Sequence, residues 1–166
     1  KDCPESQISF EKLAEISPAA ITEVDKHGDI VYANSRAEEV LGLEKSEITD
    51  RTYDDPGWKI TDLEGNDFSA ENLPFEIVKR TEEPVYDVKH AIEWPDGKRK
   101  LLSVNATPLF DEDGNFDGMV AVIEDITERR RAEQRVRDLN SILRAVRNVN
   151  QIIVEEDDAD NLLRIR

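Results

Sequence analysis

Residues 85–127 read VYDVKHAIEWPDGKRKLLSVNATPLFDEDGNFDGMVAVIEDIT, three strand-like stretches separated by two turn signals. Val85 to Trp94 and Arg99 to Phe110 flank Pro95-Asp96-Gly97, and Phe116 to Ile126 follows Asp111-Glu112-Asp113-Gly114. Proline fixes its own φ and Asp-Gly favours tight reversals, so successive hairpins are expected. In the first stretch Tyr86, Val88, His90, Ile92 and Trp94 alternate with Asp87, Lys89 and Glu93. Successive side chains of a strand point to opposite faces, so one face is assigned to a core and the other to water. Leu102, Val104 and Ala106 alternate with Ser103, Asn105 and Thr107 in the same way.

Towards the N-terminus, Phe10, Leu13 and Ile16 fall at helical spacing and stop at Ser17-Pro18, which predicts a leader helix within residues 1–17. Ala20 to Val24, the turn Asp25-Lys26-His27-Gly28-Asp29 and Ile30 to Ala33 predict another hairpin. Ser35-Arg36-Ala37-Glu38 has the spacing of a capping box and opens a short helix ending at Gly42. From Glu44 to Asn72, with Pro56, Gly57 and Gly65 between the anchors Tyr53, Trp58, Ile60 and Leu63, short helical turns and loops over a cavity are expected. Pro74 suits a first helical position, and Phe75 and Val78 share a face until Glu83-Pro84. Two strands, several helices and three strands, in that order, predict an α+β domain over residues 18–127, an antiparallel sheet with helices over one face.

Beyond Thr127 the pattern is helical. Ala132, Val136, Leu139, Leu143, Val146, Asn150 and Ile153 keep the alternating four-and-three spacing of a coiled-coil seam. A dimeric helix over residues 128–153 is expected, with Asn150 at an a position where a buried amide fixes register. The bland alternative is an arginine-rich amphipathic helix packed on its own acidic domain. Glu155-Glu156-Asp157-Asp158 is expected to end the seam, and Leu162, Leu163 and Ile165 to begin a truncated following domain over residues 154–166.

The 166 residues carry 38 acidic against 22 basic side chains, a formal charge of −16. Between residues 128 and 150, seven Arg outweigh three acids, a local +4 that leaves −20 for the remainder. Such an acidic surface repels phosphates and anionic headgroups, so neither nucleic acid nor membrane is the expected partner. It is also consistent with a salt-rich cytoplasm. No apolar run approaches the roughly 20 residues of a membrane span, and the lone Cys3 allows neither an internal disulfide nor a zinc cluster. A cytoplasmic location and a piece of a longer protein are expected.

The run from Asp25 to Asn34, the helix into Val40-Leu41-Gly42, the Pro95-Asp96-Gly97 hairpin, Asn105-Ala106-Thr107-Pro108, and Glu124-Asp125-Ile126-Thr127 before a charged helix resemble the PAS domain family. The Asp-Ile-Thr ending resembles that family's junction between last strand and signalling helix. The resemblance covers residues 7–127. It implies a five-stranded antiparallel sheet of order 2-1-5-4-3 cupping a small cavity, and a sensory or dimerisation role in a histidine kinase or transcription regulator of a two-component type. The tail resembles the helical lead into a GAF domain. The residues expected at the ligand pocket are Trp58, Phe75, Tyr86, Val88, His90, Val104 and Ile123. Asp125 and Thr127 are the expected relay.

The cofactor is unknown. Covalent flavin adducts, as in light-oxygen-voltage photoreceptors, need a cysteine in the short-helix region, and residues 74–83 contain no histidine for a haem axial ligand. Asp111-Glu112-Asp113-Gly114-Asn115 superficially matches a calcium loop, but Val122 stands where an EF-hand needs its bidentate Glu. His27 reads as a solvated turn residue, and His90 either as a ligand-contacting, pH-responsive group or as a satisfied core histidine. No catalytic centre and no metal site can be singled out, so an enzyme is not expected. The rival reading is a ligand-free dimerisation and spacer module with a packed core.

Overall fold

The alternation in the last three strands is realised as an antiparallel meander. The computed structural model describes the backbone of residues 4–163 and the side chains of residues 10–147. Cys3 lies outside the described residues, as do the side chains of Asn150 and Ile153. Helix α1 (Pro4–Glu15) leads into β1 (Ala20–Asp25) and β2 (Ile30–Ala33), followed by α2 (Ser35–Leu41) and α3 (Lys45–Thr49). Then come β3 (Lys59–Thr61), a 3-10 turn (Ala70–Asn72), α4 (Pro74–Thr81), β4 (Val85–Glu93), β5 (Arg99–Phe110), β6 (Phe116–Asp125) and α5 (Thr127–Leu163).

The sheet has six strands, in the order β2-β1-β6-β5-β4-β3, rather than the expected five. The additional strand is β3 on the edge, pairing Lys59 with Glu93 and Ile60 with Ile92. Its turn explains its presence. Asp62 Oδ1 accepts the backbone N–H groups of Glu64, Gly65 and Asn66, and a bridge between Thr61 and Asp67 closes a miniature hairpin. Asp25 does the same for His27, Gly28 and Asp29, and Asp111 for Asp113 and Asn115. Asp-x-x-Gly-Asp/Asn is thus one turn used three times, the aspartate preorganising the reversal. Asp111 acts in a turn, as the Asp-Gly signal suggests.

Gly118 of β6 stands opposite Asp25 of β1. Its φ is 143°, and a Cβ there would stand 2.3 Å from the Val24 carbonyl oxygen. Only glycine fits that approach.

The start of α2 differs from the expected capping box. Its N-cap is Asn34, fully buried, whose Oδ1 accepts from the N–H groups of Ala37 and Ile21, both at 2.9 Å. Its Nδ2 donates to the carbonyls of Ala14 (2.7 Å) and Ala19 (2.9 Å). One amide therefore ties α1, β1 and α2 together. Ser35 instead donates to Glu15, and Glu38 accepts from the Lys45 N–H. A reciprocal capping box does occur one helix later, between Glu44 and Glu47.

α1 also departs from expectation. Leu13 and Ile16 are exposed while Ala14 is buried, and Phe10 packs on the Tyr32 ring at 5.8 Å. Helical spacing identified the helix but not the face that docks. α4 follows the pattern, with Pro74 at its start and Phe75 and Val78 buried.

The chain divides into two compact units, Lys1–Thr127 and Glu128–Arg166. The second unit is one helix that continues to Leu163, past the expected end at residue 153. The backbone helix runs through the acidic stretch 155–158, and neither Gly nor Pro follows residue 127 to stop it. Val136, Leu139, Ile142, Leu143 and Val146 are 52–64% exposed along this helix.

Candidate ligand cavity and strand-to-helix junction

The buried faces of β1, β6, β5 and β4, with the helices, line a partly open cavity of about 80 Å³. Strand alternation supplies its floor: Thr22 and Val24 from β1, Met119, Ala121 and Ile123 from β6, Leu102 and Val104 from β5, His90 and Ile92 from β4. Leu41, Tyr53, Trp58 and Phe75 close it from the other side. Of the expected pocket residues, Trp58, Phe75, His90, Val104 and Ile123 line it.

Tyr86 and Val88 do not. Tyr86 is 74% exposed. A bulge between Val85 and Val88 sets two residues of β4, Tyr86 and Asp87, against the single Asn105 of β5, so Val85, not Tyr86, pairs with Ala106. Asp87 takes φ 55° at this bulge. Its N–H donates to Asn105 Oδ1 at 2.8 Å and its carboxylate accepts from Ser103 Oγ at 2.8 Å. One extra residue inverts the alternation behind it, and a period-two reading carried through the bulge assigns Tyr86 to the wrong face. Val88 pairs with Val104 and is half-buried outside the lining.

The lining is apolar apart from Thr22, Tyr53, Trp58 and His90. Tyr53 donates its hydroxyl to Glu76 Oε1 at 2.7 Å, and burial followed by that bond raises its pKa. His90 is 7% exposed, and burial lowers its pKa to about 4, so the imidazole is neutral at pH 7. Its Nδ1, Trp58 Nε1 and Trp94 Nε1 are the buried side-chain nitrogens without a hydrogen-bond partner among the described residues. Each such group costs about 1–3 kcal/mol. The cavity is small beside the ~300–1,000 Å³ of drug-sized ligand sites. Among the described residues no cluster of three or more His, Cys, Asp or Glu could hold a metal ion, and no helix is long and apolar enough to cross a membrane.

The expected relay residues sit at the end of β6, beside this wall. Asp125 pairs directly across from the cavity residue Leu102. The Ile126 N–H donates to the Leu101 carbonyl at 2.8 Å, and Thr127 Oγ1 accepts from the Leu101 N–H at 2.9 Å. Asp125 Oδ1 accepts the Thr127 N–H at 2.9 Å. Burial pushes the Asp125 carboxyl up, but the hydrogen bonds from Thr127 and the charge of Lys100 outweigh it and hold the pKa below the ordinary value. Sequence reading missed Lys100. Its ammonium pairs with Asp125 at 3.4 Å and donates to the carbonyls of Glu39 and Val40 at the C-terminal end of α2, where a cation is favoured. The one signal available was a lysine two residues before Leu102, in step with its alternation.

Residues 14–131 match the family model described as PAS fold. The chain belongs to the PAS family. No curated protein matches it in sequence. Solved structures share the fold. A PAS domain from Colwellia psychrerythraea is 16% identical at TM-score 0.58, covering 74% of this chain and 98% of that one. A PAS domain from a two-component sensor histidine kinase is 13% identical at TM-score 0.55, covering 74% and 99%. An RNA-binding light-oxygen-voltage receptor is 20% identical at TM-score 0.60, covering 85% of this chain and 40% of that one.

Proposed function

We propose that this chain is a non-enzymatic sensory module of a signalling protein, in which occupancy of the cavity is relayed through Asp125-Ile126-Thr127 into α5, paired with that of a second copy. The observation that carries the reading is the cross-strand pair of Leu102 and Asp125. It places the cavity wall directly across the β5–β6 ladder from the residue whose carboxylate accepts the Thr127 N–H. A ligand shifts such a device only by binding its two arrangements unequally, and a wall shared with the junction supplies that difference. The seam residues Val136, Leu139, Leu143 and Val146 are exposed, and burying them against a copy removes apolar surface from water. Asn150 belongs to the same proposed seam. The histidine-kinase neighbour supports a kinase or transcription regulator as the effector, and the acidic surface disfavours nucleic acid as a direct partner of this domain.

The test uses Ala121→Leu, which fills the cavity in place of a ligand, with a spin label at position 144 of α5, exposed and off the proposed seam. The inter-copy distance distribution is expected to shift between wild type and variant. A monomer by sedimentation, or identical distributions, overturns the proposal. A second reading, a ligand-free spacer with a packed core, is favoured by the small volume of about 80 Å³, and predicts paired helices that ignore Ala121→Leu.

A further inference from the structure

We infer that the cavity takes a small uncharged molecule, no larger than a benzene ring and carrying one hydrogen-bonding group, held against Trp58 and His90. The inference rests on the sensory reading above and adds the chemical class of the ligand. Size sets the first limit. About 80 Å³ holds between two and three waters at ~30 Å³ each, and a benzene guest occupies an engineered cavity of about 150 Å³.

Charge sets the second. No Asp, Glu, Lys or Arg lines the cavity, so an ion entering it would leave water without a counter-charge, which is strongly unfavourable. His90 supplies none at pH 7, since burial keeps its ring neutral.

Polarity sets the third. Two of the three unpartnered buried side-chain nitrogens among the described residues belong to lining residues, the Trp58 indole and the His90 imidazole. Native interiors rarely leave such groups unpaired. A hydroxyl or carbonyl satisfies the indole N–H, and a hydroxyl can serve the imidazole as donor or acceptor. The rest of the wall, including Val104, Ile123 and Met119, asks only for hydrocarbon.

The test titrates the ¹⁵N-labelled chain with butan-2-ol, its charged analogue butyrate, and the larger neutral indole, following the Trp58 side-chain N–H and the His90 ring nitrogens. Butan-2-ol is expected to shift both saturably at millimolar concentration, with butyrate and indole at least tenfold weaker. Trp58→Phe, which keeps an aromatic ring in the wall, is expected to weaken butan-2-ol at least fivefold without loss of fold. Butyrate or indole binding as strongly as butan-2-ol overturns the ligand class while leaving a ligand-responsive cavity. If no probe moves either signal, the inference fails. The sensory reading then stands or falls separately on the response of the helices to Ala121→Leu.

Discussion

Lys100 and Asp125 form an ion pair at 3.4 Å, and the same ammonium holds the last carbonyls of α2. One side chain thereby joins a helix covering the cavity to the residue that caps α5. Lys100→Met keeps the stem and removes the charge, and a loss of about 1 kcal/mol is expected for this partly exposed pair. The Asp125 pKa is depressed in the fold, so its contribution is present above the unfolded value near pH 4 and is lost as pH falls through the lower folded value. Urea titrations should therefore show wild type and Lys100→Met differing most at pH 7, with the gap narrowing as pH falls below 4 and the part due to the α2 carbonyls remaining. A gap unchanged over that range would mean that the charge pair contributes nothing.

His90 makes stability fall with pH in the same direction as Asp125, but over a higher window. Its folded pKa, about 4, lies below the unfolded value near 6.5, so between those pH values the unfolded chain binds more protons. Stability is fully present above pH 6.5 and falls as pH drops through this window, by about 2 kcal/mol between pH 7 and 5. Denaturation of wild type and His90→Leu at both pH values checks this, with the variant expected to lack most of that slope.

At Gly118 the obstacle is backbone, which cannot rotate away. Gly118→Ala brings a methyl to 2.3 Å from the Val24 oxygen, and a loss of at least about 3 kcal/mol is expected. Gly97→Ala, with φ 81° and nothing within 4 Å, should cost only about 1 kcal/mol. Thermal melts of the two variants separate a collision from a turn preference, and equal melting temperatures would contradict the packing described at β1 and β6.

Removing the Asn34 amide strands partners in three elements at once. Asn34→Ala is expected to cost about 3 kcal/mol, whereas Ser35→Ala, which loses only the exposed bond to Glu15, should cost under about 1 kcal/mol. Chemical denaturation of both variants decides which residue caps α2.

The sequence made the meander legible because hairpin turns and period-two alternation are local. Val104 and His90 could be assigned to the cavity wall for that reason. The alternation failed at Tyr86, where the bulge at Asp87 depends on Asn105 and Ser103 across the ladder, a non-local cause that no window of β4 contains. β3 was legible in principle, since Asp62-Leu63-Glu64-Gly65-Asn66 spells the turn of Asp25 and Asp111. Three residues of strand are too few to show a period. Asn34 was overlooked beside Ser35 because both residue types cap helices, and burial alone distinguishes them.

The length of α5 has a mechanical consequence. Its 37 residues make a rod of about 55 Å at 1.5 Å per residue. A tilt of about 5° at its root would swing the tip by roughly 5 Å, the rise of one helical turn. Atomic shifts too slight to open a pocket can in this way become a change of seating at the far end.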